Sequence, residues 1–333
     1  MTNRFTRRDF VANASALGAS SLLGLPRLAA AEPPPETTKV RLFMGPVTCL
    51  APQYVARELL YAEGFTEVQY VRFPDDTQHW PPDDLIAGDV DLTVSFIPTD
   101  IVKIDGGAPI VILAGSHIGC VSLVASTKVR STPELKGKVV ALASDERPFI
   151  SMFAAYVGID PQKDIKWEMH PWQQWGRLLE EGKIDAFMTG PPVSIDLREK
   201  KIGHVLVNTS TDKPWSQYFC CLVTGTRDFV HAHPVATKRA LRAIMKATDV
   251  CASEPQRVAR LIADKGLARY DNTLQLLREI PYGKWRELDP NDSLRFYALR
   301  MRELGIITAT PQRIIDRGTD WRFLNELKKE LKS

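Results

Sequence analysis

The sequence predicts an α/β fold of two lobes with a helical C-terminal extension. Three observations carry that expectation. From Lys39 onward, short β-type runs alternate with amphipathic helical stretches. Two β-rich runs, 121–126 and 218–224, bracket a middle block with its own β-α-β-α-β order. Beyond Thr226 the pattern becomes mainly helical. A block bounded by two strands obliges the chain to cross between lobes twice. Two crossings make a hinge, and the gap between the lobes becomes a cleft. The expected limits are residues 39–125 plus 225–333 for lobe 1 and 126–224 for lobe 2.

The elements follow in order. Val40 to Met44 reads as a strand. The stretch 52–62 reads as a helix, with Pro52 in its first turn and Val55, Leu59 and Leu60 on one face. Strands are expected at 68–73, 91–95 and 110–114, the last two joined by a helix over 99–105. Ser131 to Val140 combines a turn, a short helix, a stop at Gly137 and a new strand. The middle block continues with a helix over 148–157, a strand over 165–169, a helix over 172–182, a strand over 186–188 and a helix over 193–200. The C-terminal helices are placed at 235–251, 255–266, 272–280, 293–304 and 321–331.

A chain of 333 residues is long for one core and comfortable for two. The formal charge of +3 resides in the leader: removing the four basic and one acidic residues before position 32 leaves 39 of each sign. A neutral remainder excludes a nucleic-acid-binding surface. The five cysteines, Cys49, Cys120, Cys220, Cys221 and Cys251, are odd in number and irregularly spaced. They form no Cys/His ligand pattern, so neither a metal nor another cofactor is expected; buried free thiols are, with a disulfide left open for an oxidising compartment.

The first thirty-one residues read as an export address. Arg7 and Arg8 precede Phe10 and Val11, a mild apolar stretch runs to Leu25, and Ala29, Ala30 and Ala31 close it. Paired arginines before a weakly apolar segment resemble the twin-arginine signal, with cleavage expected near Ala31. Residues 32–38, with three consecutive prolines, form a linker.

Four groups of residues then carry a family resemblance. Ala51-Pro52-Gln53-Tyr54-Val55-Ala56 looks like a first helix approaching the cleft. Gly88 with Asp91, and Gly182 with Asp185, look like paired G-x-x-D elements, one per lobe. Leu135-Lys136-Gly137-Lys138-Val139 looks like the start of the second lobe, and His233-Pro234 leads into a long return helix. In this order they resemble the nitrate/sulfonate/taurine-type solute-binding proteins of ABC importers and the related thiamine-pyrimidine-precursor domain. The resemblance spans about residues 40–268. It implies the type II periplasmic-binding-protein (Venus-flytrap) fold closing around one solute, with an inner-membrane ABC permease as partner and the periplasm as location. The paired aspartates are expected to order loops rather than touch ligand.

In such folds the ligand meets the C-terminal ends of parallel strands. Those positions nominate Gly45, Pro46, Thr48 and Cys49 after the first strand, Ser95 and Phe96 after the third, and Ser116 and His117 after the fourth. From the other lobe come Ser144, Arg147, Trp172, Thr189 and Gly190. Small hydroxyl residues are also ordinary turn formers, His117 also reads as a structural histidine, and Arg147 could pair with Asp145 or Glu146 instead. Trp80 and Trp172 suit stacking on a flat organic solute, whereas Trp175 reads as packing. Thr99 is expected to cap the helix behind it.

No nucleophile elbow, HExxH, P-loop or dinucleotide turn is present, so catalysis is not expected. The alternative is a synthase of thiamine-pyrimidine-precursor type, which carries a cysteine-rich run near the return strand. Here that run has only Cys220 and Cys221.

Overall fold

The computed structural model describes residues 32–45, 47–72, 81–143, 146–191 and 193–331. The export signal, its cleavage point, Pro46, Trp80 and Ser144 lie outside these. Residues 35–333 form one compact unit, built on two five-stranded sheets.

The first sheet contains β1 (Lys39–Met44), β2 (Glu67–Arg72), β3 (Leu92–Phe96), β4 (Ile110–Ile118) and β10 (Phe219–Thr226), in the order β2-β1-β3-β10-β4. The second contains β5 (Ser122–Ala125), β6 (Val139–Leu142), β7 (Lys166–Met169), β8 (Ala186–Thr189) and β9 (His204–Asn208), in the order β7-β6-β8-β5-β9. Each sheet has one strand running against the rest. β10 is antiparallel to β3 and β4, and β5 is antiparallel to β8 and β9.

These memberships correct the expected lobe limits. Residues 122–125 pair within the second sheet and 219–226 within the first. The chain therefore crosses at 119–121 and again at 209–218, earlier than the limits at 125 and 224. An apolar β-run shows that a strand is buried, not which sheet buries it.

The helices around the first sheet begin with α1 (Ala51–Val55) and α2 (Arg57–Ala62), separated by a turn at Ala56 where one helix was expected. α3 (Pro81–Ala87) and α4 (Ile97–Asp105) follow. Thr99 lies inside α4, and its hydroxyl donates to Phe96 O at 2.7 Å instead of capping. The helix starts two residues earlier because Pro98 supplies the first-turn φ. The second sheet carries α5 (Arg147–Tyr156), α6 (Trp175–Glu180) and α7 (Val193–Lys200). Then come α8 (Arg227–Ala232), α9 (Pro234–Ser253), α10 (Pro255–Asp264), α11 (Tyr270–Glu279), α12 (Pro290–Glu303), α13 (Pro311–Gly318) and α14 (Arg322–Glu330). β9, α3, α8 and α13 were not anticipated. Among the described residues no helix is long and apolar enough to cross a membrane.

The G-x-x-D elements do the same work in both lobes. Gly88 (φ 77°) and Gly182 (φ 68°) end their helices in the left-handed region that glycine enters without strain. The Asp91 carboxylate accepts from Arg41 N at 2.7 Å and pairs with its guanidinium at 2.6 Å. In the other lobe Asp185 Oδ2 accepts from Val139 N at 2.9 Å. Each aspartate satisfies an amide on the neighbouring strand, which is a structural role.

The larger core runs from the first sheet into β5, β6 and α5, while a smaller cluster under α6 gathers Trp175, Phe187 and Leu178. The C-terminal extension braces the crossing segments. From α12, Phe296 stacks on Tyr218 with centroids 4.1 Å apart, Tyr297 lies 5.7 Å from Phe149, and Ser293 Oγ accepts from Phe219 N at 3.0 Å.

Candidate functional site at the crossing segments

The register of the strands decides which residues meet. β1, β3 and β4 run the same way, so Met44, Phe96 and Ile118 lie at one edge of their sheet. The start of β10 joins them, with Cys221 opposite both Phe96 and His117. In the second sheet Ser122 lies opposite Thr189 and Asn208, which marks the C-terminal edge of β8 and β9. The first crossing leaves β4 at one C-terminal edge and enters β5 at the other. Both C-terminal edges therefore meet the two crossings.

These crossings touch. Gly119 has φ 46°, and a Cβ there would lie 2.3 Å from Ser210 Cα. Only glycine allows both the turn and the approach. Beside it Thr209 Oγ1 accepts from Cys120 N and Val121 N, each at 3.2 Å, and donates to Val121 O at 2.8 Å. One hydroxyl thus ties the second crossing to the first.

On the lobe 1 side, β1 and β3 share a single paired position, Leu42 with Leu92. Gln53 occupies the gap where they part. Its Nε2 donates to Phe43 O at 2.9 Å, and its Oε1 accepts from Val94 N at 2.7 Å. The side chain replaces ladder bonds that the separated strands cannot make with each other. Tyr54 then donates its hydroxyl to Gly45 O at 3.0 Å and fixes the start of the loop. Neither role was read from the sequence, because a polar residue in an apolar helix face carries no sign of its partner.

The nominated residues separate into three groups. Thr48, Ser116 and His117 are buried at the strand ends, and among the described residues Thr48 Oγ1, Ser116 Oγ and His117 Nε2 have no hydrogen-bond partner. Buried polar atoms are almost always satisfied, so such orphans mark places for a polar guest. Ser95 and Phe96 are buried but occupied. Ser95 Oγ donates to Asp100 Oδ2 at 2.5 Å, and Phe96 packs edge-on against Phe149 of α5 at 5.0 Å, joining the two lobes. Gly45 is packed against the Phe43 ring, and Gly190 lies beside Cys120 O. Thr189 Oγ1 bonds Gly190 O at 3.3 Å.

The lobe 2 side is looser. Arg147 is exposed, with its guanidinium 5.2 Å over the Trp167 ring. Trp172 is half-buried and packs on the cluster of Trp175 and Phe187. Trp175 is buried, its Nε1 donating to His170 O at 3.1 Å.

All five cysteines are buried and free, and four of them gather where the sequence showed no pattern. A ring nitrogen of His117 and the sulfurs of Cys49, Cys120 and Cys221 all lie within 4.8 Å of one another. Cys120 Sγ is 3.2 Å from Cys220 Sγ and 3.9 Å from Cys221 Sγ. Adjacent residues of a regular strand point to opposite faces. Here the β10–β4 register slips on either side of Cys221, which lets both sulfurs approach Cys120. Hydrogen bonding to Cys120, with burial, pushes the Cys49 thiol up to about 11. Burial also raises Cys220, but hydrogen bonds from Cys120 and Cys221 outweigh it and bring that thiol below the usual thiol range. Spacing rules missed the group because its members come from three separated segments, around Cys49, His117–Cys120 and Cys220–Cys221.

Comparison with known proteins agrees with this architecture. The nitrate/nitrite-binding protein NrtA of Nostoc sp. is 23% identical over 293 residues, covering 78% of this chain and 65% of its own length. The chain thus spans just under two thirds of that relative. Among solved structures, the periplasmic nitrate-binding protein NrtA from Synechocystis PCC 6803 superposes with TM-score 0.77 at 16% identity, covering 90% of both chains. The alkanesulfonate-binding protein SsuA from Xanthomonas axonopodis pv. citri, bound to MOPS, gives TM-score 0.65 at 16% identity, covering 84% of this chain and 96% of its own. These likenesses establish the periplasmic-binding-protein fold expected from the sequence. The NMT1-like family model matches residues 33–264, most of the chain, and the protein belongs to the NMT1-like family.

Proposed function

We propose that this protein is the extracytoplasmic solute-binding receptor of an ABC importer, taking a small organic anion or heteroaromatic solute between its lobes. The observation that carries the reading is the pair of C-terminal sheet edges facing the same two crossings, with Thr48 Oγ1 and Ser116 Oγ unsatisfied among the described residues on one of them. Two uncharged hydroxyls suit hydrogen bonding to a polar solute better than bare charge neutralisation. The nitrate and alkanesulfonate relatives support a small anionic solute, and the half-buried Trp172 supports one with a flat face. The leader at residues 6–31 supports export by the twin-arginine route, after which an inner-membrane permease reads the closed form. Closure then needs contacts from both lobes, because equal affinity for both states shifts nothing.

The test is a melting-temperature panel of nitrate, sulfonates, aromatic acids and pyrimidines on the chain from Glu32, with product analysis alongside. A solute at a hundred times its dissociation constant adds about 2.7 kcal/mol. One chemical class giving a saturable shift and returning unchanged supports the receptor. Conversion of the solute, or no shift across the panel, overturns it.

A further inference from the structure

We propose that Cys49, His117, Cys120 and Cys221 form a binding site for a thiophilic d10 metal ion, Zn2+ or Cu+, at the junction of lobe 1 with the crossings. The donor set decides the ion class. Three sulfurs and an imidazole offer no oxygen ligand, which excludes Mg2+ and Ca2+ and selects soft or borderline ions. The dimensions agree. A tetrahedron with metal–sulfur bonds of about 2.3 Å has sulfur–sulfur edges of about 3.8 Å. Cys120 and Cys221 stand 3.9 Å apart, and the whole set falls within 4.8 Å.

A second, independent observation points to a guest at the same place. His117 is fully buried, and among the described residues its Nε2 has no hydrogen-bond partner. Its ring packs on Tyr282 with centroids 5.1 Å apart, and the Tyr282 hydroxyl donates to Cys49 O at 3.0 Å. Tyr282 thus orients two ligands at once, as groups behind metal sites do. Cys120 is the least buried of the four and lies on the first crossing. Binding converts three thiols to thiolates, releases three protons to solvent, and forms three metal–sulfur bonds and one metal–nitrogen bond. Four protein ligands leave no open position, so the ion braces the crossings and does no chemistry of its own.

The test uses the full chain, reduced and metal-free, titrated with Co2+, whose thiolate bonds absorb strongly in the near ultraviolet. Expected is one Co2+ per chain, displaced by Zn2+. In a second arm the chain competes with a chromophoric chelator for Cu+, and the tighter of the two ions is assigned. Cys49→Ser and Cys221→Ser should each weaken binding about tenfold or more, whereas Cys251→Ser, outside the cluster, should leave it unchanged. Absence of thiolate–Co2+ absorption together with no withdrawal of Cu+ overturns the proposal in the unaltered chain, whatever the variants do. So does full binding by the Cys49→Ser/Cys120→Ser/Cys221→Ser combination. A Cys120–Cys220 disulfide in the chain as isolated, with no metal affinity after reduction, replaces the metal with a covalent staple. Solute-induced stabilisation of the metal-free chain reads the receptor function separately.

Discussion

Asp100 shows how one residue's environment sets a measurable property. It lies in α4 and is fully buried, with Oδ2 accepting from Ser95 at 2.5 Å and Thr224 at 2.7 Å. Burial lifts its carboxyl from 3.8 to about 7, and those two hydrogen bonds oppose the rise without cancelling it. Between these values the folded chain holds a proton that the unfolded chain has released. Stability from this group is therefore full below about pH 4, falls as pH rises towards 7, and is level above. Asp100→Asn keeps an acceptor for both hydroxyls and removes the titration. The variant should gain stability over the natural chain progressively from pH 4 to 7, with a constant difference beyond, measured as denaturant midpoints. A difference that shrinks with rising pH would contradict the assignment.

Gly119 gives a second residue-scale expectation. Its positive φ and the Ser210 backbone 2.3 Å from a would-be Cβ leave no way to accommodate Ala. Gly119→Ala should lower stability by about 2 kcal/mol or more, read from a urea midpoint at unchanged slope. A neutral variant would mean that the crossings do not approach as described.

Legibility at this scale depended on chemistry that repeats locally. Gly88 with Asp91 and Gly182 with Asp185 were readable as structural because a helix stop and a loop-ordering carboxylate lie three residues apart. Thr48, Ser116 and His117 were readable as cleft-edge candidates because strand ends can be counted. Gln53, Thr209 and the thiol cluster were not, since their partners lie 41, 88 and about 100 residues away.

Among elements, the crossing segments matter most. They are held by Thr209, by the bond from Phe219 N to Ser293, and by the rings of Phe149, Phe153, Trp215 and Phe296. Thr209→Val keeps the volume but loses the acceptor for two amides. It should cost about 1–3 kcal/mol and speed hydrogen exchange at the Cys120 and Val121 amides specifically. Uniform exchange changes across both sheets would instead point to general destabilisation. Phe149→Ala, which removes a fully buried ring touching both lobes, should cost about 3–5 kcal/mol by thermal or denaturant unfolding. A loss below 1 kcal/mol would show that the rings do not carry the junction.

Element prediction succeeded where periodicity was strong and failed where a boundary was set by pairing. The helix over 193–200 was located to the residue, and β1, β3 and β7 to within a residue or two. β4 extends to Ile118, four residues past its expected end, because Gly115 accommodates the Phe219 ring from β10. β9 is flanked by a turn at Gly203 (φ 66°), but its half-buried run reads weakly, and its identity as a strand comes from pairing with β5. The sheet assignments of β5 and β10 likewise needed the partners, not the runs.

At the scale of the whole molecule, two sheets share a pair of tethers, and a third body of helices braces those tethers from lobe 1. Under the receptor proposal, the two tethers would act as the hinge about which one lobe rotates against the other. Trp215 lies on the second crossing among rings from α5 and α12, at 4.7 Å from Phe153 and 5.7 Å from Phe296. Its surroundings should change when the lobes move, so its emission reports closure without a label.

The most direct measurement is small-angle X-ray scattering on the chain from Glu32 during titration with the solute that stabilises it, with Trp emission followed in parallel. The receptor account predicts a decrease in radius of gyration that saturates at one solute per chain, tracks the emission change and reverses on dialysis. Saturable binding with no change in dimensions, or consumption of the solute as the signal develops, would contradict it.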